Sequence, residues 1–129
     1  MTPCWVESGV VLAIHDEQLA EHGGAVGIRD RMMLESALDR PRNRHDLGGC
    51  SDICELAACY AFGLARNHGF LDGNKRVSAV VTELFLALNG YELSASDETV
   101  VQTWTAIAAG EMTEEEITAW IRDFASGPP

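Results

Sequence analysis

The sequence is short of positive charge, of long apolar runs and of paired cysteines. Nine Lys and Arg residues stand against twenty Asp and Glu, which gives a formal net charge of −11. A surface with this excess of negative charge repels a polyanion, which argues against a broad nucleic-acid interface but not against a local basic cluster. The four cysteines form no C-x-x-C pair, and we interpret them as reduced thiols that lie mostly in the core.

No stretch is long and apolar enough to cross a membrane. The longest apolar-rich stretch, 77–88, is shorter than the roughly 20 residues that a spanning helix needs, and it contains Glu83. The N-terminus also lacks the basic and apolar regions of a signal peptide. We therefore expect a soluble, cytoplasmic protein with no membrane partner and no direct nucleic-acid partner. The length of 129 residues suits one domain, placed here at 1–126, with a disordered tail at 127–129.

Helical periodicity dominates the chain. Apolar residues recur at the i, i+3, i+4, i+7 spacing in six segments, with capping residues, Gly or Pro at their ends. Pro41 is expected to end the second helix, which leaves the polar stretch 41–49 as an exposed loop. The sequence thus predicts an all-α, single-domain bundle of about six helices with at most a small β flap. The predicted helices cover about 8–22, 31–40, 51–67, 74–89, 96–110 and 113–124, and the N-caps are Asp30, Ser51, Ser96 and Thr113. A short edge strand is predicted at 2–6 and a short extended piece at 91–93.

Residues with chemical potential are concentrated in one block, 68–76, between two of the predicted helices. Its sequence, HGFLDGNKR, contains a possible base, a carboxylate, an amide and two cations. Histidine is the most common general base in enzymes, and His68 follows a helix that would hold its imidazole in place. Asp72 offers the hard oxygen ligands that Mg²⁺ prefers. Taken alone, however, each of these residues is also typical of an ordinary turn or of a structural cap.

The end of the block coincides with the predicted start of a helix. The first N–H groups of a helix have no partner within it, and the helix dipole favours an anion there. Gly73 lets the backbone approach an anion, Asn74 can orient an oxygen, and Lys75 and Arg76 add positive charge. Two cations in a first turn oppose the dipole unless an anion offsets them. The combination therefore predicts a phosphate site, even though a Lys-Arg pair at a helix end is usually only solvated.

As a whole, the block resembles the motif of the Fic/Doc superfamily, and in detail its Doc (death-on-curing) toxin branch. The adenylylating branch carries H-P-F-x-D/E-G-N-G-R-x-x-R. Gly69 replaces the proline, Lys75 the second glycine and Ala79 the second arginine; the lysine and the missing arginine are features of the Doc branch. The likeness extends over essentially the whole chain. Matching positions in the motif are His68, Phe70, Asp72, Gly73, Asn74 and Arg76, and outside it His15-Asp16, Gly23-Gly24, 27–30, 34–37 and Asn89-Gly90.

The resemblance implies a toxin of a toxin–antitoxin module. Its activity is that of a protein kinase that transfers the terminal phosphate of ATP, with Mg²⁺, to a threonine of elongation factor Tu and so arrests translation. Such catalysis is mostly positioning and electrostatic stabilisation. The residue roles that it implies are catalysis by His68, Asp72, Lys75 and Arg76, metal binding by Asp72, and nucleotide binding by Gly73, Asn74, Lys75 and Arg76.

The resemblance also implies roles for less distinctive parts of the chain. The loop 41–49 corresponds to the flap that aligns the target segment as an added strand in the superfamily, or is only a solvated connection. Arg66 either reaches the phosphates or faces solvent. The inhibitory pattern [S/T]-x-x-x-E-[G/N] of many adenylylating relatives does not occur. Inhibition is therefore expected in trans, from a Phd-type antitoxin whose flexible C-terminal segment folds in a groove of the toxin.

Two other functions stay open at this point. One is an adenylyltransferase that moves AMP to a protein hydroxyl, which Lys75 and Ala79 disfavour. The other is a catalytically silent module that only binds an antitoxin. The first differs from a kinase in its product and the second in having no product.

Overall fold

Six α-helices account for most of the chain in the computed structural model, which describes residues 2–128. Two short strands, β1 (Glu92–Leu93) and β2 (Ala125–Ser126), form an antiparallel pair. The predicted all-α architecture of about six helices is confirmed. No helix in the described part of the chain is long and apolar enough to span a membrane. The helices are α1 (Ser8–His22), α2 (Arg31–Asp46), α3 (Ile53–Arg66), α4 (Asn74–Leu88), α5 (Asp97–Ala108) and α6 (Glu114–Phe124).

Helix α3 lies at the centre of the bundle and contacts α2, α4, α5 and α6. Every residue from Leu56 to Ala61 is fully buried. Small residues let the neighbouring helices approach closely: a Cβ atom on Gly63 would lie 3.3 Å from the Cβ atom of Ala37 in α2. Apolar side chains of the other helices close the core around α3. The block 68–76 therefore connects the end of α3 to the first turn of α4, two helices that are held in place by packing.

Helix α2 does not end at Pro41, and the prediction of a loop over 41–49 is wrong. The helix continues to Asp46 with Pro41 inside it, and the proline is buried. Proline lacks one N–H donor but has a helical φ, so a buried ring and a well-anchored following turn can offset the loss. The following turn is anchored to α3, because Arg44 pairs with Glu55 at 3.4 Å. Sequence periodicity does not reveal either of these tertiary contacts.

The helix caps follow the predicted residues with one exception. Helix α3 is capped by Asp52 instead of Ser51, and the Asp52 carboxylate accepts hydrogen bonds from the N–H groups of Cys54 (3.0 Å) and Glu55 (3.3 Å). A carboxylate offers two acceptor oxygens and also suits the positive end of the helix dipole. The confirmed caps are Asp30, which accepts from Met33, Ser96, which accepts from Thr99, and Thr113, which forms a capping box with Glu116.

The N-terminal residues do not form the predicted strand over 2–6. This segment is extended, but side chains bind its N–H groups where a neighbouring strand would otherwise do so. Cys4 donates to Oδ1 of Asn89 (2.8 Å), and Val6 donates to the hydroxyl of Tyr60 (3.2 Å). The extended piece at 91–93 does contain a strand, β1, whose partner β2 was not predicted.

The C-terminal residues are described as far as Pro128. Of the tail predicted at 127–129, Gly127 lies against the ring of Tyr91, where any side chain would clash with the ring. Pro129 and Met1 lie outside the described residues.

The four cysteines are free thiols with different surroundings. Cys54 and Cys59 are buried in α3, Cys50 is half-buried and Cys4 is exposed. Burial raises the pKa of the Cys59 thiol to about 11. This thiol is therefore protonated and unreactive near neutral pH, as expected for a core residue.

Candidate active site

In the block 68–76, candidate catalytic side chains are exposed, and a buried aromatic residue anchors the turn that carries them. Phe70 anchors the turn with 1% of its surface exposed, whereas His68 and Asp72 are exposed. His68 has φ +50°, and no other non-glycine residue in 2–128 has a left-handed backbone. This conformation costs on the order of 1 kcal/mol and persists where the surrounding structure imposes it. The block thus places the imidazole by a fixed backbone turn.

Gly69 lies directly against α2, which gives a physical reason for the absence of proline at this position. A Cβ atom here would lie 2.8 Å from the Cβ atom of Leu34 and 3.0 Å from its Cα atom. The Gly69 carbonyl also accepts hydrogen bonds from the N–H groups of Arg29 (2.8 Å) and Asp30 (3.0 Å). The start of α2 is therefore packed onto the backbone of the block.

The connection between α1 and α2 contains an extended piece beside the block, residues 25–30, called here the edge segment. Ile28 and Phe70 form an isolated antiparallel bridge, and Leu71 N–H donates to the carbonyl of Gly27 (3.1 Å). This register turns the N–H and carbonyl of Ile28 away from the block, and within residues 2–128 neither has a backbone partner. The site thus has an open strand edge at its border.

The structure also removes the loop on which the assignment of 41–49 to target docking rested. The beginning of α2 lies at the block, and a helix of 16 residues is about 24 Å long. The stretch that starts at Pro41 therefore lies toward the opposite end of α2, and its first six residues are helical. The extended chain beside the site is the edge segment, which lies between the first two helices.

Asn74 closes the turn of the block. Its Oδ1 accepts a hydrogen bond from the N–H of Phe70 (3.0 Å), and its Nδ2 donates to the carbonyl of the same residue (3.0 Å). Both polar atoms of the amide are thus engaged by the backbone of the block itself. Asn74 sets the shape of the turn, and its expected contact with a phosphate oxygen stays a prediction.

A histidine of α1 packs against the buried side of the block, a role that the sequence did not reveal. His15 is 3% exposed, and its ring stacks on Phe70 with 3.8 Å between centroids and 10° between planes. Its Nε2 lies 2.9 Å from the carbonyl oxygen of Asp72. Because a carbonyl only accepts, Nε2 carries a proton and donates it. The two residues are 57 positions apart, so the His15-Asp16 pair was visible in the sequence only as part of the family likeness.

Asp72 fits a metal only as a single protein ligand. Its Oδ1 accepts from the N–H of Gly73 (2.9 Å) and its Oδ2 from the N–H of Ala25 in the edge segment (3.3 Å). Across residues 2–128, no group of three or more His, Cys, Asp or Glu side chains is arranged to hold a metal ion. Mg²⁺ often takes one or two carboxylates and completes its shell with water and phosphate oxygens. An exposed single carboxylate is compatible with that kind of site.

Helix α4 begins without the usual compensation of its N-terminal N–H groups. Its N-cap is Gly73 in a left-handed conformation (φ +80°), which offers no side-chain cap, and its first turn contains no acidic residue. Lys75 and Arg76 are exposed in that turn. Unpaired N–H groups and two cations therefore face the same region, which favours an anion.

The positive charges of the protein are divided between ion pairs and the neighbourhood of the block. Five of the nine Lys and Arg residues pair with carboxylates, and within 2–128 the other four form no ion pair. Three of the four lie in the block or on the edge segment that is bonded to it, and the fourth precedes the block by two residues. The paired residues are Arg31, Arg40, Arg42, Arg44 and Arg122, and the four others are Arg29, Arg66, Lys75 and Arg76.

Arg66 precedes the block and packs on the protein. Its guanidinium lies over the ring of Phe62, 5.8 Å from the ring centroid, and against Gly110 in the turn after α5, where a side chain would clash with it. A role at the phosphates stays a prediction for this residue.

Comparisons with known proteins agree on one family. A family model described as the Fic/DOC family matches residues 5–86, which include the block and the edge segment. The chain is 31% identical over 112 residues to "Protein kinase doc" of Escherichia phage P1, covering 87% of this chain and 88% of the relative. It is 29% identical over 107 residues to "Toxin Doc" of Mycolicibacterium smegmatis, covering 81% and 82%.

Proposed function

Because this chain belongs to the Fic/DOC family, we propose that it is a Doc-type toxin of a toxin–antitoxin module, and that its block 68–76 transfers the terminal phosphate of ATP to a hydroxyl of a target protein. The names of the two relatives, a protein kinase and a toxin, support this proposal. The chemistry of the block supports it independently, since an exposed histidine stands beside a concentration of unpaired cations.

The distribution of cations is the observation that carries the proposal. In a protein of net charge −11, three of the four Lys and Arg residues without a carboxylate partner in the described chain lie in the block or on the edge segment bonded to it. Random placement on an acidic surface favours ion pairing, so positive charge left free at one site indicates an anionic ligand. ATP supplies such a ligand, with most of its charge on its phosphates.

His68 is the proposed general base. As the hydroxyl oxygen of the target forms its bond to the terminal phosphorus of ATP, the imidazole accepts the hydroxyl proton. The bond from that phosphorus to the bridging oxygen breaks, and ADP leaves with the electron pair. The proton then passes from His68 to water. The exposed imidazole and its fixed backbone suit a group that must meet a large protein substrate.

The phosphates are proposed to bind at the start of α4. Lys75 and Arg76 supply charge there, and the free N–H groups of the first turn supply donors. Gly73 leaves no side chain between these donors and the anion, while Asn74 contributes by closing the turn. Asp72 is the residue that would hold Mg²⁺, which neutralises part of the phosphate charge when bound.

Lys75 and Ala79 favour phosphate transfer over AMP transfer. In the adenylylating pattern these positions are glycine and arginine, and here the first gives an exposed cation and the second a short apolar side chain in α4. The change of the proline to Gly69 has a structural explanation in the contact with Leu34 and carries no weight in this choice.

The proposed target is a threonine of elongation factor Tu, and the edge segment is the proposed docking strand for it. The free N–H and carbonyl of Ile28 can pair with an extended target segment and bring its hydroxyl to the block. The proposed inhibitor is a Phd-type antitoxin, and the proposed place of action is the cytoplasm, where translation takes place.

The test is the intact mass of elongation factor Tu after incubation with the protein, ATP and Mg²⁺. We expect a gain of one phosphate, about 80 Da, followed by mapping to a threonine. The His68→Ala variant is the matched control and should leave the mass unchanged. A gain of one AMP would replace the kinase assignment by adenylylation, and an unchanged mass with a folded, ATP-binding protein would reject this target.

A further inference from the structure

We propose that Arg29 binds the terminal phosphate of the nucleotide, on the side of His68, and stabilises the negative charge of the group being transferred. This inference rests on the proposed function, because it assigns a further residue to the same site. Arg29 lies outside the block, on the edge segment, and neither its position in the sequence nor the motif marks it as a ligand.

The backbone of Arg29 is fixed relative to the block. Its N–H donates to the carbonyl of Gly69 (2.8 Å), and its Nη1 donates to the carbonyl of His68 (3.3 Å). The backbone bridge between Ile28 and Phe70 holds the edge segment on the same side. Arg29 thus presents its guanidinium beside the residue that is the proposed base.

The charge of this guanidinium is not neutralised, although one carboxylate is adjacent in the chain and another is hydrogen-bonded to the edge segment. Asp30 uses its Oδ1 to cap α2 through the N–H of Met33 (3.1 Å). Asp72 accepts from the N–H groups of Gly73 and Ala25. No carboxylate in residues 2–128 pairs with Arg29, whereas the exposed Arg31, two residues later, pairs with Glu35 at 3.9 Å. Four of the five N–H donors of Arg29 are therefore available to an anion.

The geometry selects the transferred phosphate among the anions of the site. The group in transfer must lie next to the attacking hydroxyl, and the hydroxyl must lie next to His68. The Arg29 guanidinium donates a hydrogen bond to the backbone carbonyl of His68, whereas Lys75 and Arg76 lie beyond the turn at the start of α4. A planar guanidinium can bind two phosphate oxygens at once and so follows the charge that spreads over them during transfer.

A purely structural role for Arg29 makes a different prediction. The hydrogen bond to the His68 carbonyl helps to hold the left-handed backbone of that residue, and it needs an N–H donor but no positive charge. Arg29→Gln keeps a donor and removes the charge, while Arg29→Lys keeps the charge and removes the planar fork. The two variants therefore separate the effect of the hydrogen bond to His68 from the effect of the positive charge.

The experiment measures the dissociation constants of ATP and ADP, each with Mg²⁺, by titration calorimetry. We expect Arg29→Gln to weaken ATP binding about tenfold or more while ADP binding changes little, because only ATP has the terminal phosphate. Arg29→Lys should restore part of the preference for ATP. Arg31→Gln is the matched control: it removes an exposed arginine from the neighbouring turn and should leave both constants unchanged.

The outcomes separate this inference from the proposed function. An unchanged ATP constant in Arg29→Gln, or equal losses for ATP and ADP, would overturn the assignment of Arg29. A wild-type protein that binds ATP but phosphorylates no elongation factor Tu would reject the proposed target, while the comparison of ATP and ADP still decides the role of Arg29. A folded wild-type protein that binds neither nucleotide would overturn both.

Discussion

His68 combines an exposed imidazole with a left-handed backbone that the surrounding structure imposes. We expect His68→Ala to lower phosphate transfer by about 100-fold or more, the usual contribution of a general base. Its melting temperature should stay close to that of the wild type, because the side chain is exposed and its removal leaves no cavity.

The matched control for this prediction is His22→Ala, which removes another exposed histidine, at the end of α1. It should change neither the rate nor the melting temperature. A folded His68→Ala variant that transfers phosphate at the wild-type rate would remove His68 from the mechanism.

Gly69 is needed for packing. Gly69→Ala places a Cβ atom 2.8 Å from the Cβ atom of Leu34, so α2 or the block must move. We expect a loss of about 1–3 kcal/mol in the free energy of unfolding, measured with urea, because backbone and a packed side chain must both shift. Gly9→Ala is the control, since a Cβ atom there meets nothing within 4 Å, and it should be neutral or slightly stabilising. Equal stabilities of the two variants would contradict the tight contact between α2 and the block.

Which parts of the site could be predicted from the sequence depends on how far apart the residues lie in the chain. The block could be predicted because its base, carboxylate and cations are consecutive and their combination is unusual. The groups that hold it could not, because His15 and Ala25 meet Asp72 across 57 and 47 positions. Asn74 was found by its type and place, but its bonds to Phe70 depend on the exact turn that the block adopts.

At the scale of elements, α2 and α6 are joined by a charged contact that was also outside the reach of sequence patterns. Glu114, the first residue of α6, contacts both Arg40 and Arg44 of α2, the latter at 3.4 Å. Its side chain is only 13% exposed. This contact holds the second half of α2 in place, most of which the helical periodicity and Pro41 predict to be a loop. Helix periods and caps were predictable because they are local, whereas the continuation of α2 depends on partners far along the chain.

Removing that contact should weaken the docking of the two helices. We expect Glu114→Gln to lower the free energy of unfolding by about 1–3 kcal/mol, because two arginines lose a largely buried carboxylate. The matched control is Arg122→Gln, which breaks the pair with Asp52 at 55% and 38% side-chain exposure and should cost less than about 1 kcal/mol. Urea unfolding of both variants measures the difference, and a larger loss for Arg122→Gln would show that burial does not rank these pairs.

At the scale of the whole molecule, the charge is strongly asymmetric. The net charge of the protein is −11, while three of the four cations without ion pairs in the described chain lie in the block or on the edge segment. Repulsion among the acidic side chains lowers the stability of the folded state. The basic site contrasts with the negative potential of the surrounding surface. The proposed antitoxin partner would gain from a basic segment against this surface, as a matter of association rate more than affinity.

This asymmetry predicts opposite responses of folding and binding to salt. Between about 20 mM and about 300 mM NaCl, the Debye length falls from roughly 20 Å to below 8 Å, so repulsion among exposed carboxylates is screened. The exposed ion pairs lose little, since each contributes at most about 1 kcal/mol. The urea midpoint should therefore rise with salt, while the affinity for ATP should fall several-fold because the same ions screen its attraction to Lys75, Arg76 and Arg29. Urea titrations and ATP binding at both salt concentrations test this, and ATP affinity that rises together with stability would contradict an electrostatic phosphate site at the block.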